Sequence, residues 1–284
     1  MEKIRAFKCP TCFDWDVEGK CCKGKCEIIT LDSYDEPICV NHRNKQNGKL
    51  TGGYKTEKKR QHVWFTSDWH FGHQSILYFY PERRELMDIS LEELQTNKEL
   101  AVSKMDEYLI KLWNETVKKE DTVYYLGDFC LQNKEYTEKI LRRLHGKKHL
   151  ILGNHDKSLK GLEHYFESVS QIKECKFTNN QFPFIDKDET FCVEMCHFPL
   201  LTWNRRNNGS VHVHGHCHGS CDDINDRLME LRVDVGIDSP KWNYKMIEVE
   251  ELYQYFINLR NKLNCKTFTD YTTKLIDEHN AAKG

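Results

Sequence analysis

Five short apolar runs, spaced along this 284-residue chain, each end in side chains that bind metals or carry protons. Val63-Trp64-Phe65-Thr66-Ser67 leads to Asp68-Trp69-His70, and Val123-Tyr124-Tyr125-Leu126-Gly127 leads to Asp128. His149-Leu150-Ile151-Leu152 leads to Gly153-Asn154-His155-Asp156. Val193-Glu194-Met195-Cys196 leads to His197, and Val211-His212-Val213-His214-Gly215 leads to His216-Cys217-His218. Runs of this length, rich in β-branched and aromatic residues, read as strands. Ligands of α/β proteins gather where such strands end, at their carboxyl termini. The shared build predicts that these five ends meet in one site.

Between the runs the periodicity changes. From Leu91 to Lys119 the spacing of Leu100, Met105, Leu109, Leu112, Trp113 and Val117 predicts a long helix, with room for a break, that buries one face. Lys134 to Leu144 reads as an amphipathic helix stopped by Gly146. Strand, helix, strand in that order predicts a parallel βαβ unit. After His155, β-like runs at 169–177, 190–196, 210–214 and 230–235 follow without long helices, which predicts a second sheet with antiparallel neighbours. Two sheets stacked face to face with helices outside are the expected architecture. Residues 247–263 read as a further helix, and 264–284 as a polar tail with room for one short helix.

Composition narrows the class. Charged residues at 30% and hydrophobic ones at 39% fit a globular chain. Nothing approaches the ~18 consecutive apolar residues of a membrane span, and the first residues open no signal peptide. The expected location is the cytoplasm. The net charge of -2 conceals a split, because residues 1–60 carry 13 Lys and Arg against 9 Asp and Glu. That segment also holds six of the 13 cysteines. In a reducing compartment thiols favour metal ligation over a disulfide framework. Cys9-Pro10-Thr11-Cys12 is a knuckle able to grip a structural zinc, with Cys26 and Cys39 as the expected second pair and Cys21, Cys22 and His42 as alternatives. Residues 41–60 are polar and basic, a linker or hairpin suited to contacting nucleic-acid phosphates. The expected organisation is a Cys-rich segment and linker (1–60), a catalytic domain (61–263) and a tail (264–284).

The ordered set Asp-x-His, Gly-Asp, Gly-Asn-His-Asp, a lone His and Gly-His-x-His resembles the calcineurin-like metallophosphoesterase family over residues 62–245. The form Asp68-Trp69-His70-Phe71-Gly72-His73, with Leu109-Ile110, Trp113-Asn114 and Val235-Gly236-Ile237-Asp238, is similar to a subgroup of small bacterial and phage members. The resemblance implies a four-layered αββα sandwich of two mixed sheets. It implies two divalent metals, one held by Asp68, His70 and His218, the other by Asn154, His197 and His216, with Asp128 shared. Mixed oxygen and nitrogen ligation favours Mn, Fe, Zn or Ni over Mg or Ca. His155 then acts on the phosphoryl oxygen or the leaving group, with Asp156 orienting it. His73, Arg83 and Arg84 are expected to contact substrate, since guanidinium forks match phosphate oxygens.

The implied activity is hydrolysis of a phosphodiester in a nucleotide or nucleic acid by a hydroxide bridging the two metals. Phosphomonoester hydrolysis, a non-catalytic metal-binding scaffold and a nucleic-acid-binding module are the competing readings. A scaffold would be expected to have lost some of the donor set, and this chain retains all of it.

Overall fold

The computed structural model describes residues 62–281. The chain divides into two units, 1–60 and 61–284, and the described residues lie in the second. The zinc ligands expected at Cys9, Cys12, Cys26 and Cys39, and the basic stretch after them, fall outside the described residues.

The first sheet has five strands: β1 (Val63–Thr66), β2 (Thr122–Tyr125), β3 (Lys147–Ile151), β4 (Ser168–Ser170) and β9 (Ile247–Glu248), in the order β4-β3-β2-β1-β9. β1 to β4 run parallel and β9 pairs antiparallel to β1. The second sheet holds β5 (Ile172–Thr178), β6 (Thr190–Cys196), β7 (Val211–His214) and β8 (Arg232–Asp234), in that order. Only β5 and β6 are antiparallel, and β6, β7 and β8 are parallel. The expected antiparallel character is therefore confined to one pair. The connections 197–210 and 215–231 are each long enough to carry the chain back across the sheet, as a parallel neighbour requires.

One core cluster joins both sheets, with Phe65, Tyr124, Leu126 and Ile151 from the first and Phe177, Phe191, Val193, Met195, Val211, Val213 and Val233 from the second. Phe65 stacks on Tyr124 and meets Phe177 edge-on across the gap. Strand alternation sends Val123, Tyr125 and Leu150 the other way. There they pack with Ala101, Met105, Leu109 and Trp113 of α4 (Lys98–Thr116) and Ile140 and Leu141 of α5 (Lys134–Leu141).

The helix expected over 91–119 is two, α3 (Leu91–Thr96) and α4, preceded by α1 (Ile76–Phe79) and α2 (Pro81–Leu86). Asn97 makes the break, because its Oδ1 accepts the Leu100 amide at 3.2 Å and caps α4. Met105, Leu109, Trp113 and Val117 are fully buried, whereas Leu100 is 46% exposed. Mixed sheets flanked by helices match the expected class. The outer face of the second sheet, however, has a thin and polar cover. His212, His214, Glu194 and Arg232 point to it, closed over by loop 198–210 and by α6 (Asp222–Leu228). Trp203 lies against the His212 ring, and Arg232 donates to Asn225 Oδ1 and Leu200 O, both at 2.7 Å.

The stretch expected as a polar tail folds as α8 (Phe268–Ala281), after α7 (Val249–Lys262). Phe268 and Tyr271 are buried, with Leu275 packed beside them, and the Tyr271 hydroxyl donates to Met229 O at 2.7 Å. Three apolar residues at helical spacing suffice to dock a helix whose other positions are polar. No helix among the described residues is long and apolar enough to cross a membrane. Phe268→Ala should lower the unfolding free energy by about 3–5 kcal/mol, and Leu100→Ala should change it by no more than about 0.5 kcal/mol. Urea denaturation of the two variants measures both, and a neutral Phe268→Ala would show that α8 is not part of the core.

Candidate metal centre

The β1–β2 ladder continues past the strands and sets the first two carboxylates side by side. Asp68 N donates to Gly127 O at 3.0 Å, His70 N to Asp128 O at 3.1 Å and Phe71 N to Phe129 O at 2.8 Å. Ser67 also bridges Gly236, which ties the first sheet's loop to the segment after β8. Two glycines let the strand ends approach. A Cβ on Gly153 would run into the Asp128 carboxylate, and one on Gly215 into Ser67 and Asp68. The backbone bends sharply at the donors themselves: Asp68, His70, Asp128, His216 and His218 all have positive φ, between 47° and 68°. Each such residue costs about 1–2 kcal/mol, so the surrounding packing has to hold it there.

Two donor sets result. The ligating atoms of Asp68, His70 and His218 lie within 4.8 Å of one another, as do those of Asp128, His197 and His216. In the first set His70 Nε2 is 3.2 Å from His218 Nε2, and Asp68 Oδ1 is 3.8 Å from His218 Nε2. In the second, His197 Nε2 is 3.1 Å from Asn154 Oδ1 and 3.5 Å from Asp128 Oδ2. Asp128 Oδ2 is also 3.9 Å from His70 Nε2, so this carboxylate faces both sets.

The donors fit divalent cations, because ligating nitrogens and oxygens are gathered within 4.8 Å of one another in each set. His197 Nδ1 is 2.6 Å from Leu126 O, which assigns its proton to Nδ1 and leaves Nε2 bare toward Asn154 Oδ1 and Asp128. His218 Nδ1 is bound to Asp238 Oδ2 at 2.8 Å, which leaves its Nε2 opposite His70. Asp68 Oδ1 is buried and has no hydrogen-bond partner among the described residues. The other Asp68 oxygen accepts from Ser67 Oγ at 2.5 Å and His216 N at 2.9 Å.

Titration reflects the same crowding. Burial pushes Asp68 up to about 8, against the pull of the His218 charge. Burial holds His70 far below its ordinary range, helped by the charges of His218 and Arg83. His73 and His216 are lowered chiefly by burial. Burial also opposes charge on His218, but the Asp238 hydrogen bond and the Asp68 charge outweigh it and raise that group.

Two expectations need correction. Arg83 does not reach toward substrate. It is fully buried on α2, with Nε and Nη2 on Asp238 at 2.8 and 2.7 Å, Nη1 on Trp69 O at 2.8 Å and Nη2 on Asp68 O at 3.0 Å. Two of these bonds hold the loop after β1 and two hold Asp238 after β8. Asp156 does not orient the His155 ring. Its carboxylate accepts the amides of Asp128, Phe129 and Gly153 at 3.1, 2.8 and 2.7 Å, and so shapes the two loops that carry donors. His212 and His214 stay buried on β7, while His216 is exposed on the turn beyond it. His155 is exposed, with its ring 6.0 Å from that of His70, and its amide donates to Asp128 Oδ1 at 2.9 Å. His73 is half-buried, its ring 5.4 Å from His70. Arg84 is half-exposed, its amide on Tyr80 O at 3.4 Å.

Sequence reasoning passed over Asp238 as a working residue, although it joins Arg83 to His218. An acidic residue soon after an apolar strand was the available signal. It also passed over two rings at the centre. Tyr80 stacks on His218 at 4.8 Å and 22°, and Phe198 meets His216 at 4.8 Å and 62° while remaining 43% exposed.

Asp238→Asn should weaken divalent-metal binding about 10- to 100-fold, as loss of a carboxylate behind a ligating imidazole does. Competition with a chromogenic chelator measures this. The metal-free chain should lose stability as pH rises from about 6.5 to about 8. In that window Asp68 keeps its proton only when folded, so the native state binds more protons than the unfolded chain. Added Mn(II), taking the place of that proton, should flatten the slope, and thermal melts across the range read it out.

Residues 61–239 match the family of calcineurin-like phosphoesterases. The Gene 66 protein of Mycobacterium phage L5 is 28% identical over 214 residues, covering 67% of this chain and 92% of the phage protein. An uncharacterized protein of Methanocaldococcus jannaschii is 26% identical over 191 residues, covering 66% of this chain and 87% of its own. A crystal structure of a protein of unknown function from Aquifex aeolicus aligns with a TM-score of 0.46 at 22% identity, covering 69% of this chain and 99% of that one. With more than half of its length matched, this chain belongs to the calcineurin-like phosphoesterase family and is a metallophosphoesterase, a hydrolase of phosphoric ester bonds that uses divalent metals.

Proposed function

We propose that the chain hydrolyses a phosphodiester in a nucleotide or nucleic acid at the centre formed by Asp68, His70, Asp128, Asn154, His197, His216 and His218. The observation that carries this reading is the pair of donor sets with Asp128 facing both. Two divalent cations there supply a nucleophilic water at neutral pH and hold the charge that builds on the phosphoryl oxygens. The first set is the more deeply buried, with Asp68 and His70 almost inaccessible, while Asn154, His155 and His216 are exposed. Substrate therefore approaches from the side of the second set. His155 stands on that side, where its imidazole meets a phosphoryl oxygen or gives a proton to the leaving group. His73 flanks His70 and faces the same charge.

A diester suits this wall, because it leaves one phosphoryl oxygen substituted on each side and carries a single negative charge for the two imidazoles to meet. The aromatic faces of Tyr80 and Phe198, on either side of the donors, suit a nucleotide. Residues 41–60 extend the same reading, with their Lys and Arg contacting phosphates of a longer substrate, and Cys9, Cys12, Cys26 and Cys39 holding a structural zinc.

Bis(p-nitrophenyl) phosphate should be cleaved by the full chain with added Mn(II), and Asp128→Ala should abolish turnover while circular dichroism stays native. His155→Asn should reduce kcat by about 10²- to 10⁴-fold with metal content unchanged. Cleavage of p-nitrophenyl phosphate but of no diester would replace this reading by a monoesterase. Raising salt should weaken binding of single-stranded nucleic acid while turnover of the small diester barely changes.

A further inference from the structure

Behind the turn that carries His216 and His218 lies a third donor cluster, of different chemistry from the first two. The ligating atoms of His214, Cys217 and Asp234 lie within 4.8 Å of one another. Cys221 Sγ, outside that group of three, stands 3.1 Å from Cys217 Sγ, too far for the ~2.05 Å of a disulfide and well short of the about 3.8 Å between two thiolates on one zinc, so it has to draw back by about 0.7 Å to serve as a fourth ligand. From these residues we infer a further metal site, a structural zinc held by His214, Cys217, Cys221 and Asp234.

Two of the donors, Asp234 and His214, have a reason to want a cation. Asp234 is fully buried, and its oxygens accept only uncharged donors, Gly219 N at 2.9 Å and Gly236 N at 2.7 Å. Among the described residues no Lys, Arg or His nitrogen lies within ion-pair distance of it. A buried carboxylate without a cation is expensive, and such groups are paired or coordinate metals. His214 is also fully buried, with Nδ1 2.9 Å from Gly215 O. That contact assigns its proton to Nδ1 and leaves the Nε2 lone pair facing only Asn225 Nδ2, 3.4 Å away. One residue past Cys221, Asp222 Oδ1 is buried without a hydrogen-bond partner among the described residues. Sulfur with one imidazole and one carboxylate is a set that zinc takes in tetrahedral geometry.

The position gives the site its purpose. His216 and His218 both have positive φ, so the turn is strained at the two donors it presents to the catalytic centre. A zinc bonded to Cys217 within that turn, to His214 before it and to Asp234 on the neighbouring strand ties these elements together. It fixes the spacing of His216 and His218 without taking part in hydrolysis. Binding releases the two thiol protons to solvent.

The test separates this site from the catalytic pair by ligand type. The catalytic donors are nitrogen and oxygen only, so Co(II) bound there gives no sulfur-to-metal charge-transfer absorption, whereas Co(II) on Cys217 and Cys221 does. The full-length chain and its Cys217→Ser and Cys221→Ser variants are each reconstituted with Co(II). The near-ultraviolet charge-transfer band and the metal count by elemental analysis are compared at matched circular dichroism. Thiolates elsewhere contribute equally to all three samples, so the difference belongs to this cluster. The expected result is a weaker band in both variants and, for Cys217→Ser, one metal fewer per chain. An unchanged band and count in both variants would overturn the site. Intact mass of the protein purified without reductant, showing Cys217 joined to Cys221 in a disulfide, would overturn it equally. Either failure leaves the nitrogen and oxygen centre and its hydrolytic reading standing.

Discussion

The structure depends on a repulsion that only cations relieve. Nitrogen and oxygen donor atoms of Asp68, His70, Asp128, Asn154, His197 and His218 face one another across a partly buried space, several at less than 4 Å. Left to themselves such groups would take up protons or move apart. Here the backbone forbids the second course, because the donors sit on loops that extend the parallel ladder of β1 and β2 and on turns locked in the left-handed region. The fold thus carries strain and desolvation at one place. The hydrophobic contact of two sheets and their helices has to offset both before any metal arrives.

How the scaffold holds that strain is clearest at Arg83. Its guanidinium takes both oxygens of Asp238 and the carbonyls of Asp68 and Trp69, with every group buried. A buried ion pair gains little net stability over apolar packing, yet breaking one side costs about 3–5 kcal/mol. Its value here is positional. One fork joins the loop after β1 to the segment after β8, and through Asp238 it orients the His218 imidazole. Asp156 does the same for the other carboxylate, by gathering three amides from the loops after β2 and β3. Arg83 was expected at the substrate and Asp156 behind the His155 ring, and both instead hold the loops that carry donors.

Much of this was legible in the sequence because strand and donor are adjacent there. An apolar run followed by Asp or His states the local geometry, and five in one order state the fold. Contacts made at long range were not legible. Arg83 and Asp238 are 155 residues apart, and nothing local to Arg83 says whether its fork turns inward or out. The run 169–177 reads as one strand but serves two sheets, since pairing passes from Ser170 beside Ile151 to Ile172 beside Cys196 across a single residue. Period-two alternation records which residues are buried, not which neighbour buries them. α8 escaped for a related reason, because Phe268, Tyr271 and Leu275 acquire meaning only against the core that receives them.

Exposure across the centre then gives the chemistry a direction. Asp68, His70 and His197 form a floor that solvent scarcely reaches, while Asn154, His155 and His216 form the rim. Divalent cations bound there would be held by side chains that are already buried and fixed, Asp68, His70 and His197, and would supply the positive charge that a developing phosphoryl anion needs. His155 stands on that rim, open to solvent. Tyr80 stacks on the His218 imidazole, and Phe198 meets the His216 ring edge-on. The wet and dry halves of one small space are thus assigned to different tasks, holding the ions below and exchanging substrate and protons above.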